Sequence, residues 1–393
     1  MAPPRWRRGE EGTVCDGATM GADSNGVKPD AGRGSTRRTA SAGEREPGLD
    51  VGRQIAHLKS LGVKFVGCTE EEACAYLTKK CSYFKLSAYM RLFSKRVGGP
   101  RDGQFISLDF AQLRALASLD QTLRCTLRPM TLDIEHFQKV RLLRAISERE
   151  GEVGREGGRA CERGPKGEGG PENGGALKSV CESDREDAYA IVADYMASLT
   201  PENKAYRERE LRSSTYGPYG GAALAVCEGS LPVWAFLEMA SFGTLVDFTR
   251  FCGKRWGDKK LTASHYDLKK VKSIRNACSH SSCIIPAFAD APRPYSSLSR
   301  DIIDAVIKTG VTKTTRRKWL RNVAFQELST TLVCYAAGVP EGKSKERARE
   351  GLATLFTEVE RASDLLPREG PDAGVMSALG LIRGLTDSLG LLN

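Results

Sequence analysis

Residues 105–127 read FISLDFAQLRALASLDQTLRCTL, and apolar side chains recur in this stretch every three or four residues. That spacing places them on one side of an α-helix, where a second element can cover them. Sustained over about six turns, the pattern predicts a long amphipathic helix near the centre of the fold. The apolar positions are Ile106, Phe110, Leu113, Leu116, Leu119, Leu123 and Leu127.

Helical periodicity recurs on both sides of this stretch. Pro129 predicts the entry of a second helix, Met130–Ile146, because proline is well accommodated in a first helical turn. Residues 70–79 follow Thr69, and Thr69 and Glu72 have the spacing of a capping box. Strand patterns are few, so the chain is predicted to be an all-α bundle. Further helices are predicted over residues 184–199, 233–252 and 266–280, with two or three more between 300 and about 365.

Two segments lack the apolar side chains that a core requires. Residues 1–50 form a basic arm rich in Gly, Arg and Ser, and residues 148–183 are rich in Gly and Glu. We expect the arm to be disordered and the second segment to be a flexible insertion, since neither can bury enough apolar surface. The insertion divides a helical domain into a first part, 51–147, and a second part, 184–290. Residues 291–393 are predicted to be a C-terminal helical extension.

Composition narrows the class of protein. The net charge of +10 over 393 residues favours a polyanionic partner. The 12 cysteines are scattered without a C-x2-C pair, which favours free thiols in a reducing cytoplasm and argues against a bound metal. No apolar stretch is long enough for a membrane span, and no apolar run follows the basic N-terminus as a secretory signal requires. A cytoplasmic protein without cofactor or membrane contact is therefore expected.

The hexapeptide RNACSH, residues 275–280, carries the side chains needed to cleave an RNA phosphodiester without metal. An imidazole such as that of His280 transfers protons near neutral pH. The guanidinium of Arg275 can hold a phosphate and stabilise the negative charge of the transition state. Asn276 and His280 are four residues apart, so on a helix the amide lies next to the ring and can orient it.

The spacing within the hexapeptide also poses a geometric problem. Residues five apart are rotated by roughly 140° on a regular helix, so Arg275 and His280 do not share a face. Three arrangements solve it: the arginine wraps around the helix, the helix ends near His280, or two copies of the helix complete one another's site. The competing interpretation is an ordinary helix with a surface arginine and a structural histidine.

Other candidates surround this motif. Lys269, Lys270 and Lys272 precede it as RNA-binding candidates, and Glu238 is a supporting carboxylate that could pair with Arg275. A solvated helix face explains these lysines as well as a bound polyanion does. The same holds for a second basic cluster, which surrounds Trp319. Its members are Lys313, Arg316, Arg317, Lys318 and Arg321.

The remaining histidines and the aromatic side chains are assigned mainly to packing. His57, His136 and His265 lack a nearby arginine and amide, so they are interpreted as structural. Tyr83, Phe84 and Tyr89 either pack in the core or stack on exposed bases. Trp234 and Phe242 are expected in the core on one face of the 233–252 helix.

Two sequence blocks are specific enough to suggest a family: LPVWAFLEMASFG at 231–243 and IRNACSH at 274–280. With weaker blocks, they resemble the Abi family of bacterial abortive-infection proteins, the group named for AbiD and AbiF, which is similar to the HEPN-domain ribonucleases. The resemblance spans about 54–283 outside the glycine-rich insertion. The weaker blocks are QIAHLKSLG at 54–62, YL at 76–77, CSYFKLSAY at 81–89, the 105–124 helix with Leu119-Asp120 and Leu123-Arg124, and Ile134-Glu135.

The resemblance implies a HEPN-like helical bundle that dimerises and brings two R-x4-H motifs to the interface. Enzymes of this kind cleave RNA without metal through attack by the ribose 2′-hydroxyl, which leaves a cyclic phosphate. It implies Arg275, Asn276 and His280 as the site, RNA as substrate, a homodimer, and an antitoxin or phage trigger as a possible further partner. The chain departs from the family after His280, where SSCIIP at 281–286 replaces a frequent HRLWN.

Two other interpretations stay open. A non-catalytic HEPN-type module that binds RNA or a nucleotide would keep the lysines and the dimer, but Arg275 would be structural. A purely protein-binding bundle would need neither. Salt-sensitive RNA binding distinguishes these two, because neutralising phosphates releases counterions.

Overall fold

A computed structural model of the chain describes residues 50–157, 187–215, 231–292 and 298–392. The predicted disordered arm, residues 1–49, and most of the predicted insertion lie outside these residues. The first residues of that segment are described, and 148–157 continue a long helix.

The described residues fold as an all-α bundle, as the periodicity predicts. Their only strands are β1 (Val63–Lys64) and β2 (Leu108–Asp109), a parallel pair of two residues each. The helices are α1 (Val51–Ser60), α2 (Glu70–Lys79), α3 (Tyr83–Met90), α4 (Phe110–Gly157), α5 (Ala190–Ala197), α6 (Pro201–Thr215), α7 (Val233–Met239), α8 (Phe242–Arg255), α9 (Lys259–Ser279), α10 (Arg300–Lys308), α11 (Lys313–Trp319), α12 (Val323–Gly338), α13 (Lys343–Ala362) and α14 (Gly374–Ser388), with a 3₁₀ helix at Ile285–Ala289.

The central element is α4, which runs without interruption past Pro129. The two helices predicted on either side of this proline are therefore one. A proline removes one backbone hydrogen-bond donor from a helix. Here Leu127 and Met130, on either side of Pro129, are both buried in the core, and this packing favours a continuous helix. The predicted start is also corrected: the helix begins at Phe110, and Ile106 precedes it with an exposed side chain.

The helix that carries the hexapeptide, α9, packs on α4, α8 and α12. It begins at Lys259, earlier than predicted, where the Asp258 side chain accepts a hydrogen bond from the Leu261 amide at 2.9 Å. Its apolar stripe is buried as predicted. The buried stripe therefore determines which side of α9 faces solvent, and with it which side chains of the hexapeptide are exposed. The stripe consists of Leu268, Val271, Ile274 and Cys278.

The predicted 233–252 helix is interrupted. α7 ends at Met239, and Ser241 caps α8 by accepting a hydrogen bond from the Thr244 amide. Trp234 and Phe242 therefore lie on different helices. Phe242 is buried as predicted, but Trp234 is 49% exposed, so its assignment to the core is wrong.

The C-terminal helices belong to the same core as the rest of the described chain. α13 packs along α4, where the Thr122 hydroxyl donates to Glu358 at 2.7 Å and Arg347 pairs with Asp133 at 3.1 Å. The structure also extends beyond the predicted end near Leu365, because α14 adds a further buried apolar face. The buried side chains of these helices continue the apolar cluster around α4.

The eight cysteines among the described residues are free thiols. Within the same residues, no helix combines the length and the apolar character that crossing a bilayer requires.

The contact between α8 and α9 gives a test of the fold. A Cβ added to Gly253 would lie 2.6 Å from both the backbone nitrogen and the hydroxyl of Thr262. We expect Gly253→Ala to lower the free energy of unfolding by about 1–3 kcal/mol, because the two helices must separate. Gly380→Ala, in an open position of α14, should instead be neutral or stabilise by about 0.5–1 kcal/mol. Denaturant unfolding measures both, and equal effects would contradict the close approach.

Candidate functional site

The hexapeptide ends in a helix C-cap. His280 is the C-cap residue of α9. Ser281 has a φ of 55°, the left-handed conformation that a residue after a C-cap commonly adopts. The Ser282 amide donates to Ala277 O at 2.9 Å, and the Ser281 amide donates to Cys278 O at 3.4 Å. This is a Schellman motif. Of the three arrangements considered for the R-x4-H spacing, the helix does end at the histidine.

The chain beyond the cap is held by a buried carboxylate, Asp120 on α4. Its side chain accepts hydrogen bonds from the Ile284 amide at 2.8 Å and the Ile285 amide at 2.7 Å. It also accepts from the Tyr89 hydroxyl at 2.9 Å and pairs with Arg124 one turn along α4. Asp120 is fully buried, so these partners replace the water that it loses. The segment after His280 is thereby fixed to α4.

His280 itself projects outward. Its side chain is exposed, and among the described residues the imidazole has no hydrogen-bond partner. The backbone amide of His280 donates to Asn276 O at 2.9 Å, which completes the last turn. An exposed imidazole on a rigid helix end can reach a bound substrate without a large backbone movement.

Arg275 lies closer to the interior. Its Nη1 donates to Asn276 Oδ1 at 3.3 Å, and its Nε is buried without a partner among the described residues. Burial raises the pKa of the Glu135 carboxyl, and the charges of Lys139 and Arg275 partly offset that rise. One oxygen of Glu135 is likewise buried and unpartnered. The arginine therefore stands in the field of a carboxylate from α4.

The contacts among the predicted site residues differ from those expected from the sequence. The Asn276 amide contacts Arg275, and its proposed role in orienting the imidazole stays a prediction. Glu238 is exposed on α7, and among the described residues no ion pair joins it to Arg275. Glu135 is the carboxylate that acts on Arg275. The sequence held a signal for it, since Ile134-Glu135 is one of the family-like blocks.

The three predicted RNA-binding lysines do not form one surface. Lys269 is exposed, whereas Lys270 is half-buried, and its charge acts on the carboxyls of Asp267 and Glu327. The half-buried Lys272 lies over the first turn of α8, where a Cβ added to Gly243 would be 3.0 Å from its Nζ. At about 100° per residue, Lys269 and Lys272 share the outer side of α9 with Asn276, and Lys270 faces α12.

Sequence reasoning missed a cation on α4. Burial raises the pKa of the Cys278 thiol to about 11, and the charges of Arg124 and Arg128 act on this thiol. Arg124 also donates to Ser282 O at 3.4 Å, so its guanidinium lies at the C-terminal end of α9, and Arg128 lies near enough to Cys278 for its charge to act there. Arg124 is occupied by Asp120, but Arg128 is exposed and makes no ion pair with another described residue. The only sequence signal for Arg128 was its position one turn after Arg124.

The other histidines and aromatic residues differ in their surroundings. His265 is buried, with its Nδ1 3.1 Å from Val246 O, and burial lowers its pKa. Tyr83 and Tyr89 are buried in the core, but Phe84 between them is 76% exposed. Of these three aromatic side chains, only Phe84 can stack on a base. Among the described residues, no group of three or more His, Cys, Asp or Glu side chains is placed to hold a metal ion.

The sequence was compared with protein families, with curated proteins and with solved structures. The model of one family, described as Abi-like protein, matches residues 76–286, more than half of the chain. Neither the curated proteins nor the solved structures gave a match. The matched range begins at α2 and ends just after the two amides that Asp120 binds.

The role of Asp120 as the anchor of the segment after His280 is testable. We expect Asp120→Ala to lower the free energy of unfolding by about 3–5 kcal/mol, because it leaves Arg124 and two buried amides unpaired. The exposed Asp304, which pairs with Arg300 at 3.2 Å, provides the control. Its replacement by alanine should cost no more than about 0.5 kcal/mol. Urea unfolding compares the two, and a small loss for Asp120→Ala would contradict the anchor.

Proposed function

We propose that this chain, which belongs to the Abi-like protein family, is a metal-independent endoribonuclease that cuts RNA with His280 and Arg275. Membership of the family suggests a role in abortive infection, a form of phage defence. The observation that carries the more specific proposal is the C-cap that fixes an exposed imidazole at the end of the helix whose last turns also carry Arg275. The substrate would be cellular or phage RNA, and cleavage would stop growth of the infected cell.

The chemistry follows from the side chains. A base removes the proton from the ribose 2′-hydroxyl, the 2′-oxygen bonds to phosphorus, and the bond to the 5′-oxygen breaks. An acid then gives a proton to the departing 5′-oxygen, and a 2′,3′-cyclic phosphate remains. Imidazole suits both proton transfers. Arg275 stabilises the extra negative charge on the phosphoryl oxygens, and Arg128, whose charge acts on Cys278 of α9, would hold a neighbouring phosphate.

One chain offers a single histidine for two proton transfers. A homodimer that joins two α9 ends would supply two imidazoles and two guanidinium groups in one cleft. The outer side of α4 supports such a pairing, because Leu132 is 46% exposed three residues before Glu135 and Val140 is 45% exposed further along the same helix. Burying these apolar side chains against a second copy would favour association. The partners of the site are thus RNA and a second copy of the chain.

The second candidate function is a non-catalytic module that binds RNA or a nucleotide. It is favoured by one observation: Arg275 is joined to Asn276 and lies in the field of Glu135, which suits a structural arginine as well as a catalytic one. In that case the basic side chains around the C-terminal end of α9 would hold RNA without cutting it.

Cleavage by the purified protein in EDTA tests the catalytic proposal. We expect His280→Ala to slow single-turnover cleavage by roughly 10²–10⁴-fold, because the proton transfers lose their carrier. RNA binding by the variant should stay close to that of the wild type. His57→Ala, on α1, serves as the control and should cut at the normal rate. Equal cleavage rates for His280→Ala and the wild type would rule out the role of His280.

Mixed dimers test whether two chains share one site. If both copies of His280 are needed, an equal mixture of wild-type and His280→Ala chains should retain about a quarter of the activity, because random pairing leaves that share of fully wild-type dimers. Independent sites would retain about half. The measurement needs co-expressed chains with different tags, so that exchange is complete, and a cleavage rate per total chain. A value of one half would contradict the shared cleft.

A further inference from the structure

A cavity outside the Abi-like region contains the second basic cluster. It has a volume of about 480 Å³ and lies between the 3₁₀ helix and α11. All of its lining residues follow residue 286, where the family match ends. Four of them are cations: Lys313, Arg317, Lys318 and Arg321. The fold has therefore gathered most of this cluster around one concave surface.

The positive charge of the cavity is not neutralised by carboxylates among its lining residues. None of the four cations forms an ion pair with another described residue. The one carboxylate in the lining, Asp290, is paired with Arg91 at 2.6 Å. Lys313, Arg317 and Lys318 are exposed, so their charges remain solvated, and the Nζ of Lys318 also lies 5.0 Å from the centroid of the Trp319 ring. Four uncompensated cations around one depression attract a ligand with several negative charges.

The floor of the cavity is apolar and rigid. Phe288 and Trp319 meet edge to face, with ring centroids 5.9 Å apart. Trp319 is fixed by its Nε1, which donates to the Ser377 hydroxyl at 3.2 Å. The Asn322 amide donates to Ala287 O at 2.9 Å and so holds the 3₁₀ helix beside α11. Trp319 is 1% and Phe288 7% exposed, so the apolar contact open to a ligand comes from the exposed part of Phe288 and from the exposed Pro292. An inorganic anion would use the cations alone, whereas a nucleotide base could also use this apolar contact.

We propose that this cavity binds a nucleotide, with its phosphates on Lys313, Arg317, Lys318 and Arg321 and its base on the apolar side formed by Phe288 and Pro292. Guanidinium and ammonium groups both bind phosphate through charge-assisted hydrogen bonds. The volume is within the range of pockets that hold small molecules. The nucleotide is either a free nucleoside triphosphate or one unit of single-stranded RNA. This site is separate from the one proposed for cleavage.

The test is direct binding to the full chain with His280→Ala, so that no probe is cut. Three probes are titrated by calorimetry: ATP, inorganic triphosphate and a short single-stranded RNA. Lys313→Ala/Arg317→Ala removes two exposed cations that line the cavity. Lys308→Ala/Arg316→Ala removes the same charge from neighbouring positions outside the lining and is the matched control. Thermal unfolding checks that both double variants fold like the parent.

We expect the cavity variant to weaken nucleotide binding on the order of tenfold or more, because each lost cation gives up a charge-assisted contact, while the control variant binds within about twofold. Loss of ATP binding identifies a free nucleotide as the ligand, and loss confined to RNA identifies a nucleotide of a strand; either supports the site. Absence of binding, equal weakening in both variants, or inorganic triphosphate that binds as tightly as ATP would overturn it. None of these outcomes depends on whether His280 cleaves RNA.

Discussion

The buried carboxylate of Asp120 is the interaction on which the candidate site depends. It holds the Tyr89 hydroxyl from α3, Arg124 from its own helix, and the amides of Ile284 and Ile285. A fully buried charge is costly unless its hydrogen-bonding capacity is filled, so these partners must assemble together. Their assembly fixes the chain just beyond His280. The position of the imidazole is therefore set by a contact that lies outside the hexapeptide.

The two ends of the hexapeptide have different surroundings, because α9 packs on α4 at Arg275 and ends at His280. Arg275 lies where α9 still packs on α4, and it inherits the low-dielectric surroundings that make Glu135 hard to ionise. His280 lies where the helix stops and is surrounded by solvent. A guanidinium keeps its charge in either setting, but an imidazole must exchange protons and profits from access to water and substrate. The R-x4-H spacing thus places Arg275 in packed surroundings and His280 in solvent.

The sequence predicted the all-α class, the apolar stripes of α4 and α9 and the capping box of α2, because each depends on neighbours within a few residues. It failed where tertiary packing decides. Pro129 was interpreted as a boundary, yet α4 continues because Leu127 and Met130 are packed on both sides of it. Glu238 was predicted as the carboxylate that could pair with Arg275, whereas the structure brings Arg275 near Glu135. Identifying Glu135 requires knowing that α9 lies along α4, which no local pattern reveals.

The segment between the two proposed sites is held at both ends. Asp120 binds the amides of Ile284 and Ile285, and Asn322 binds the carbonyls of Ala287 and Phe288. The first anchor belongs to the family-matched region and the second to the C-terminal extension. A segment fixed on both sides transmits displacement better than a loop with one loose end, because packed elements are stiff. The extension therefore does more than cover α4: it completes the support of the segment that follows His280.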